Sequence, residues 1–275
     1  MAHHAQNRWG GQMRIELQDV SIGYDGTEVL RNIDLVFEGR GLYCIIGPNG
    51  VGKSTLVRCI NGLIPKTSGN ILVEGKDVSE YSMKDMAKMM SFVPASSNDV
   101  FSMTVMDTIL MGRTNCRRWR YSDKDIEATY KLMRLLNIEE LAMRDNAQLS
   151  AGQRQKIAIA RGLAQDTPVI ILDEPTANLD IRHQIYVTEM LKAVTEYKDV
   201  MVIMISHDLN IASRYADRMV VLNKHGVVYA DGHPSDVISE SLLRDVYGIS
   251  CEIVTKHGRP MMIFDYAIPN ADGRL

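Results

Sequence analysis

The sequence feature that most constrains the fold is a glycine-rich stretch, Gly-Pro-Asn-Gly-Val-Gly-Lys-Ser at residues 47–54, which matches the pattern G-x-x-x-x-G-K-[ST]. An apolar run over residues 42–46 precedes it, and a helical pattern over residues 55–60 follows it. In such a loop the backbone amides turn inward around phosphate oxygens, and the helix N-terminus contributes its positive end. A simple glycine-rich turn is the alternative, but the flanking strand and helix favour a nucleotide-binding site.

Two side chains of this loop have expected chemical roles. Lys53 is expected to contact the β- and γ-phosphates, and Ser54 is expected to bind Mg²⁺ through its hydroxyl group. The residues of this stretch that are predicted to bind the nucleotide are Gly47, Pro48, Asn49, Gly50, Val51, Gly52, Lys53, Ser54 and Thr55.

Three short apolar runs, at residues 42–46, 169–172 and 200–205, are typical of parallel strands buried on both faces. Polar residues follow each run directly, and ligand sites of parallel α/β sheets lie at the carboxyl ends of the strands. Residues 14–24 alternate between apolar and polar, and residues 29–37 offer a return strand, as in a half-buried antiparallel pair. The pattern predicts an α/β fold with a smaller antiparallel region.

Candidate catalytic groups stand at the ends of two of these runs. Asp173 can reach Mg²⁺ through water, and Glu174 can orient and deprotonate an attacking water molecule. His207 follows the next run and is positioned to contact a γ-phosphate. Solvated strand ends are the alternative for the two acids, and a structural or solvated role is the alternative for the histidine.

A further motif, Leu-Ser-Ala-Gly-Gln at residues 149–153, precedes a long helical run. Ser150 and Gln153 have the spacing of a capping box, in which each side chain bonds the other residue's backbone. A well-capped helix is the simplest explanation. The alternative is an anion site, because a serine hydroxyl and free amides at a helix N-terminus bind negative charge.

Taken in order, these motifs resemble those of the ABC ATPases, and the resemblance covers nearly the whole chain from Arg14. It implies a P-loop NTPase (RecA-like) core with an antiparallel β subdomain and an inserted α-helical subdomain, which binds ATP and Mg²⁺. Residues 149–153 resemble the signature motif, with Ala151 in place of a glycine. We expect the alanine to be tolerated unless this position requires a positive φ.

The resemblance also assigns roles that the spacing alone does not. It implies that Tyr24 stacks on adenine and that Asp180 lies in a loop that contacts a second copy. Ser150 and Gly152 of one copy then clamp the γ-phosphate bound by the other copy, so the nucleotide site needs a homodimer. The residues assigned to the nucleotide on this basis outside the phosphate loop are Tyr24, Ser150, Ala151, Gly152, Gln153 and Asp180.

One departure from the family pattern lies after the pair Val93-Pro94, where the family usually has glutamine and this chain has Ala95. That glutamine meets Mg²⁺ and the attacking water in the family. We expect hydrolysis to survive with weaker Mg²⁺ coordination, because Ser54, Asp173 and Glu174 remain.

Composition limits the partners and the compartment. A net charge of −3 over 275 residues argues against nucleic acid as the main partner. No run of about 18 apolar residues is present, so a membrane role requires a partner protein. The cysteines at 44, 59, 116 and 251 form no Cys-x-x-Cys pair, which favours reduced thiols in a cytosol. We expect a loose tail over residues 1–12 and one domain over residues 13–275, with a helical subdomain at 84–148 and a C-terminal extension at 231–275.

Two stretches, at residues 104–113 and from residue 246 through Pro260, resemble importers for iron chelates, haem and cobalamin. They imply a peripheral subunit at the cytoplasmic face of the membrane, whose partners are polytopic permease subunits and, indirectly, a substrate-binding protein. A methionine-rich region over residues 83–111 suits an adaptable contact with a permease helix, although these methionines could instead fill a core. The alternatives are a soluble ABC ATPase of the iron–sulfur assembly type and a slow-turnover nucleotide-binding regulatory module.

Overall fold

A computed structural model describes residues 13–24, 26–95, 103–115 and 121–269, with the side chains of residues 114 and 115 excepted. The predicted tail over residues 1–12 lies outside these ranges, as do Cys116 and residues 270–275 of the predicted extension.

The strands and helices are named here in chain order. The strands are β1 (Arg14–Tyr24), β2 (Thr27–Glu38), β3 (Gly41–Ile46), β4 (Ser68–Val73), β5 (Lys76–Asp77), β6 (Met90–Val93), β7 (Val169–Leu172), β8 (Met201–Ile205), β9 (Arg218–Leu222), β10 (Val228–Gly232), β11 (Ile249–Lys256) and β12 (Arg259–Ala267). The helices are α1 (Lys53–Ile60), α2 (Met83–Met89), α3 (Val105–Leu110), α4 (Asp123–Leu135), α5 (Ala151–Ala164), α6 (Ile181–Lys198), α7 (Leu209–Tyr215), α8 (Pro234–Val237) and α9 (Glu240–Leu242).

The main sheet has six strands in the order β10-β9-β3-β8-β7-β6. Strand β3 pairs in parallel with β8 and β9, and β7 pairs in parallel with β8 and β6. Every residue of β3, β7 and β8 is buried, which explains why their sequences are continuously apolar. The three parallel strands predicted from the apolar runs are confirmed, and their carboxyl ends lie along one edge of the sheet.

Alternate residues of the central strand β3 enter separate hydrophobic cores on the two faces of this sheet. Leu42, Cys44 and Ile46 belong to the core formed with helices α5, α6 and α7. Tyr43 and Ile45 belong to the second core, which includes α1 and the smaller sheet. This two-sided burial fixes the strand and therefore the loop that follows Ile46.

The smaller sheet is antiparallel, with the order β2-β1-β4-β5. Strand β1 pairs with β2 through registers such as Ile15 opposite Phe37, and it pairs with β4 on its other side. The predicted antiparallel pair over residues 14–37 is therefore confirmed.

The region between β5 and β7 is mainly helical, but its first part differs from the prediction. Within the predicted helical subdomain at 84–148, Met90–Val93 is a strand of the main sheet, paired with β7. The methionines at 83, 86 and 90 keep a helical spacing up to the strand, so sequence periodicity misses the change. The helices α3 and α4 pack on α5 and share its core.

The C-terminal part begins with the antiparallel hairpin β9–β10. The short helices α8 and α9 follow, and a π-helical turn over Leu243–Tyr247 leads into the antiparallel hairpin β11–β12. Cys44, Cys59 and Cys251 are free and buried. Among the described helices, none combines the length and apolar character needed to cross a bilayer.

Candidate nucleotide site

The loop between β3 and α1 has a backbone that only glycine accommodates at two positions. Gly47 has φ 151° and Gly52 has φ 98°, both in the region that L side chains rarely adopt. A Cβ atom at Gly47 would lie 2.4 Å from the Leu222 carbonyl oxygen, and one at Gly52 would lie 2.9 Å from Leu30 Cδ2. Conformation and close packing therefore both require glycine here, as expected of a loop that wraps around phosphate.

Lys53 is the first residue of α1, directly after this loop, and is 5% exposed. Its Nζ atom donates hydrogen bonds to the carbonyl oxygens of Gly47, at 2.7 Å, and Pro48, at 2.8 Å. Burial lowers the pKa of Lys53, while the nearby carboxylates of Glu174 and Asp173 oppose that shift. Phosphate oxygens form stronger, charge-assisted bonds than neutral carbonyls do, so the ammonium is preplaced for a phosphate ligand.

A hydroxyl–carboxylate pair stands beside the lysine. Ser54 Oγ donates to Asp173 Oδ1 at 2.8 Å, and Asp173 is 1% exposed at the end of β7. The other carboxylate oxygen, Oδ2, accepts no hydrogen bond from the described residues. Arg58 NH2 lies 3.5 Å from that oxygen, close enough for an ion pair but outside hydrogen-bond geometry. The buried oxygen and the serine hydroxyl fit the oxygen-only ligand preference of Mg²⁺.

Two protein ligands are too few for an octahedral Mg²⁺ ion, which commonly takes its other ligands from phosphate and water. Among the described residues, no cluster of three or more histidine, cysteine, aspartate or glutamate side chains could hold a metal ion by itself. The pair Ser54–Asp173 thus suits a metal that arrives with a nucleotide.

Arg58 is a site residue that the sequence reasoning missed. It follows Ser54 by four residues on α1, so the two side chains lie on the same helix face. That spacing is the signal that would have found it.

Glu174 and His207 meet at the ends of the neighbouring strands β7 and β8. His207 Nε2 lies 2.6 Å from Glu174 Oε1, and Glu174 has φ 52°, in the left-handed region. A non-glycine residue in this conformation costs free energy, and such strain concentrates at functional sites. Both side chains are partly exposed, so a water molecule can reach the carboxylate.

These groups line one open cleft of about 510 Å³. The residues that line it are Val29, Asn49, Gly50, Gly52, Lys53, Ser54, Thr55, Glu174 and His207. The structure therefore brings the predicted phosphate loop, the predicted base and the predicted histidine together. It does not bring Tyr24, Asp180 or the residues at 150–153 into this cleft.

Tyr24 ends β1, opposite Thr27, and is 46% exposed. An exposed ring face can stack on a base. The adenine contact stays a prediction.

The motif at residues 149–153 has the predicted capping geometry. Ser150 Oγ accepts a bond from the Gln153 amide at 3.2 Å, and Gln153 Oε1 accepts one from the Ser150 amide at 3.0 Å. Ala151 is the first residue of α5 and has no positive φ, so the backbone at this position does not require glycine. Ser150 and Ala151 are exposed, so the start of this 14-residue helix is accessible from outside the chain.

The loop before α6 packs against that helix start. A Cβ atom at Gly152 would lie 3.3 Å from the Asn178 carbonyl oxygen and 3.3 Å from Leu179 Cδ2. Asp180 caps α6, accepting the His183 amide at 2.9 Å, and its carboxylate contacts His183 Nδ1 at 2.8 Å. Within one chain Asp180 is a helix cap, and its contact with a second copy stays a prediction.

Residues 30–177, which span the phosphate loop, Ser150 and Asp173, match the family model described as ABC transporter. This chain belongs to the ABC transporter family. The α/β fold of this ABC protein, with its parallel sheet, is the P-loop NTPase fold.

Known relatives of this ABC protein match it over almost its whole length. A petrobactin import ATP-binding protein of Bacillus anthracis is 35% identical over 265 residues, covering 96% of each chain. A hemin import ATP-binding protein of Rhodococcus jostii is 34% identical over 267 residues, covering 97% of this chain and 90% of that protein.

A solved structure supports the same placement. The dimeric post-hydrolysis state of an ATP-binding cassette bound to ADP and phosphate superimposes with a TM-score of 0.73 at 26% identity. The match covers 80% of this chain and 98% of that cassette. The ABC protein described here is therefore an ATPase of this class.

Proposed function

We propose that this chain is the ATP-hydrolysing subunit of an importer for metal chelates of the iron-siderophore, haem or cobalamin type. The observation that carries the proposal is the similarity, over more than nine-tenths of the chain, to ATP-binding proteins named for petrobactin and hemin import. The subunit acts at the cytoplasmic face of the membrane, bound to permease subunits, and a substrate-binding protein delivers the cargo to that permease.

The side chains of the cleft suit the hydrolysis of ATP. Glu174 accepts a proton from the water that attacks the γ-phosphorus of ATP, and His207 contacts the γ-phosphate while remaining within reach of Glu174. Lys53 exchanges its two carbonyl partners for β- and γ-phosphate oxygens. Ser54 and, through water, Asp173 would hold Mg²⁺, which would supply positive charge that offsets the charge on the phosphates. The bond from the γ-phosphorus to the β–γ bridging oxygen breaks, which leaves ADP and phosphate.

A second copy completes this site. Ser150 and Gly152 stand at an exposed helix start that does not line the cleft of their own chain. The amides and hydroxyl of such a helix start favour an anion. A homodimer in which each copy's Ser150 covers the partner copy's ATP uses these exposed groups and gives the nucleotide a place between the two subunits.

The permease is expected to dock in a groove of about 360 Å³ between the end of α1 and α2. Leu63 and Met83 are 50% and 85% exposed there, so apolar surface is open to a partner helix. Strand β6 begins at this groove with Met90 and ends at Val93, whose carbonyl oxygen accepts the Asp173 amide at 2.8 Å. A shift of the docked helix would therefore reach the proposed metal-binding aspartate through one short strand.

A pull-down of the tagged chain from detergent-solubilised membranes tests the importer assignment. We expect a many-helix permease to co-purify with the wild type and to be lost with Met83→Asp, because a charge in the groove opposes an apolar contact. Tyr197→Asp is the matched control, since Tyr197 is 82% exposed and lies outside the groove. Recovery only from the soluble fraction, alone or with a scaffold protein, would contradict the importer assignment and favour the soluble ATPase alternative.

A further inference from the structure

The C-terminal hairpin β11–β12 is bonded directly to α7, the helix that begins just after His207. Asn210 Nδ2 donates to the Met262 carbonyl oxygen at 3.1 Å, and the Met262 amide donates to Asn210 Oδ1 at 2.8 Å. The asparagine amide thus pairs with the backbone of β12 as a neighbouring strand would. Met262 is 2% exposed, so this contact lies in a buried layer.

Two more hydrogen bonds join the same two elements farther along. Ser213 Oγ donates to the Pro260 carbonyl oxygen at 2.6 Å, and Arg259 NH1 donates to the Ala216 carbonyl oxygen at 2.8 Å. Strand β12 therefore runs antiparallel to α7, with Met262 beside the start of the helix and Arg259 beside its end.

The link from Asn210 to His207 is short and well ordered by hydrogen bonds. Asp208 caps α7 by accepting the Ile211 amide at 2.8 Å, and Ser206 Oγ donates to the Asp208 carbonyl oxygen at 3.1 Å. A helix of 7 residues is too short to be stable by itself, so its position depends on tertiary bonds of this kind.

The other end of the hairpin approaches the phosphate loop. The Ile268 amide donates to the Gly248 carbonyl oxygen at 2.7 Å, which joins the end of β12 to the residue after Tyr247. Burial raises the pKa of Tyr247, and a hydrogen bond with the backbone of Gly47 opposes that rise. The extension consequently contacts both the helix behind His207 and the first glycine of the phosphate loop.

We propose that Asn210 is a positioning residue for ATP hydrolysis, which anchors the start of α7 on the C-terminal hairpin and thereby holds His207 beside Glu174. The C-terminal hairpin then acts on hydrolysis through its contact with Asn210 at Met262. Loss of the Asn210 contact should slow the chemical step rather than weaken ATP binding. The phosphate loop connects β3 to α1 and is not part of α7. This role of Asn210 concerns hydrolysis itself and does not depend on the identity of the transported cargo.

The test compares Asn210→Ala with Arg259→Ala in the full chain. Asn210→Ala is expected to lower kcat by about 10-fold to 100-fold, since a displacement of order 1 Å at a catalytic group has effects of this size. The KM for ATP should stay within about twofold. Arg259→Ala removes a hydrogen bond from the same hairpin at the far end of α7, so it should lower Tm comparably and leave kcat within about twofold.

A second readout separates positioning from general destabilisation. The imidazole NMR signal of His207, assigned by its loss in His207→Ala, should move in Asn210→Ala and stay in place in Arg259→Ala. Asn210→Asp keeps the acceptor for the Met262 amide, should show an intermediate kcat, and replaces the alanine variant if that one fails to fold. Equal kcat losses in the two alanine variants, or a wild-type kcat in Asn210→Ala, would overturn the proposal.

Discussion

Replacing Glu174 with glutamine is expected to lower kcat for ATP hydrolysis by about 10²-fold to 10⁴-fold, the range that a general base contributes. The amide has nearly the shape of the carboxylate but cannot accept the proton of the attacking water. His207 can still contact the side-chain oxygen at position 174, so the cleft should keep its geometry. ATP binding should persist, because the phosphate loop is unchanged.

Phosphate release at saturating ATP measures this effect, and equilibrium ATP binding shows that the site remains intact. Glu196→Gln is the matched control, because Glu196 is 65% exposed on α6 and pairs only with Lys192 among its described ionic contacts. A Glu174→Gln protein that loses less than about tenfold in kcat would show that another group accepts the proton.

Replacing Lys53 with alanine is expected to raise the Kd for ATP by about 10²-fold to 10⁴-fold. The ammonium should make two charge-assisted hydrogen bonds to phosphate oxygens, each contributing about 1.5–3 kcal/mol. The loop carbonyls of Gly47 and Pro48 would also lose their donor, so the variant site is both less positive and less ordered.

Calorimetric titration with ATP, in a Glu174→Gln background that limits turnover, measures this Kd. Lys192→Ala serves as the control. Lys192 Nζ forms an ion pair with Asp217 Oδ1 at 2.6 Å, and the residue lies outside the cleft. The substitution is expected to lower stability without changing ATP affinity. A Kd for Lys53→Ala within about threefold of the control, a difference of under 1 kcal/mol, would mean that the lysine does not bind phosphate.

The sequence was most informative where local patterns and sheet topology agree. The continuous apolar runs predicted β3, β7 and β8 because strands buried on both faces leave no polar alternation. Placing polar residues directly after these runs was then enough to bring Lys53, Glu174 and His207 to one edge of the sheet. The capping box at Ser150 and Gln153 was predictable because it depends only on a spacing of three residues.

Hydrogen bonds from a side chain to the backbone of a residue far along the chain leave no pattern in the sequence. Asn210 bonds the main chain of Met262, 52 residues later, and main-chain partners do not depend on which side chain is present. Strand β6 was missed because the methionines at 83, 86 and 90 keep a helical spacing up to the strand, and methionine is a good helix former. Ser150 and Asp180, whose proposed roles require a second copy, cap helices within the single chain, so the structure of one chain does not distinguish them from ordinary caps.

In the proposed homodimer each ATP is hydrolysed between two copies, one supplying Lys53 and the other supplying Ser150. Mixing two inactive variants, Lys53→Ala and Ser150→Arg, tests it directly. A mixed dimer contains one intact site, formed by Lys53 of the second variant and Ser150 of the first. We expect ATPase activity to appear only on mixing, with each variant inactive alone. Inactivity at every mixing ratio, with mixed dimers detected by differential tags, would contradict it.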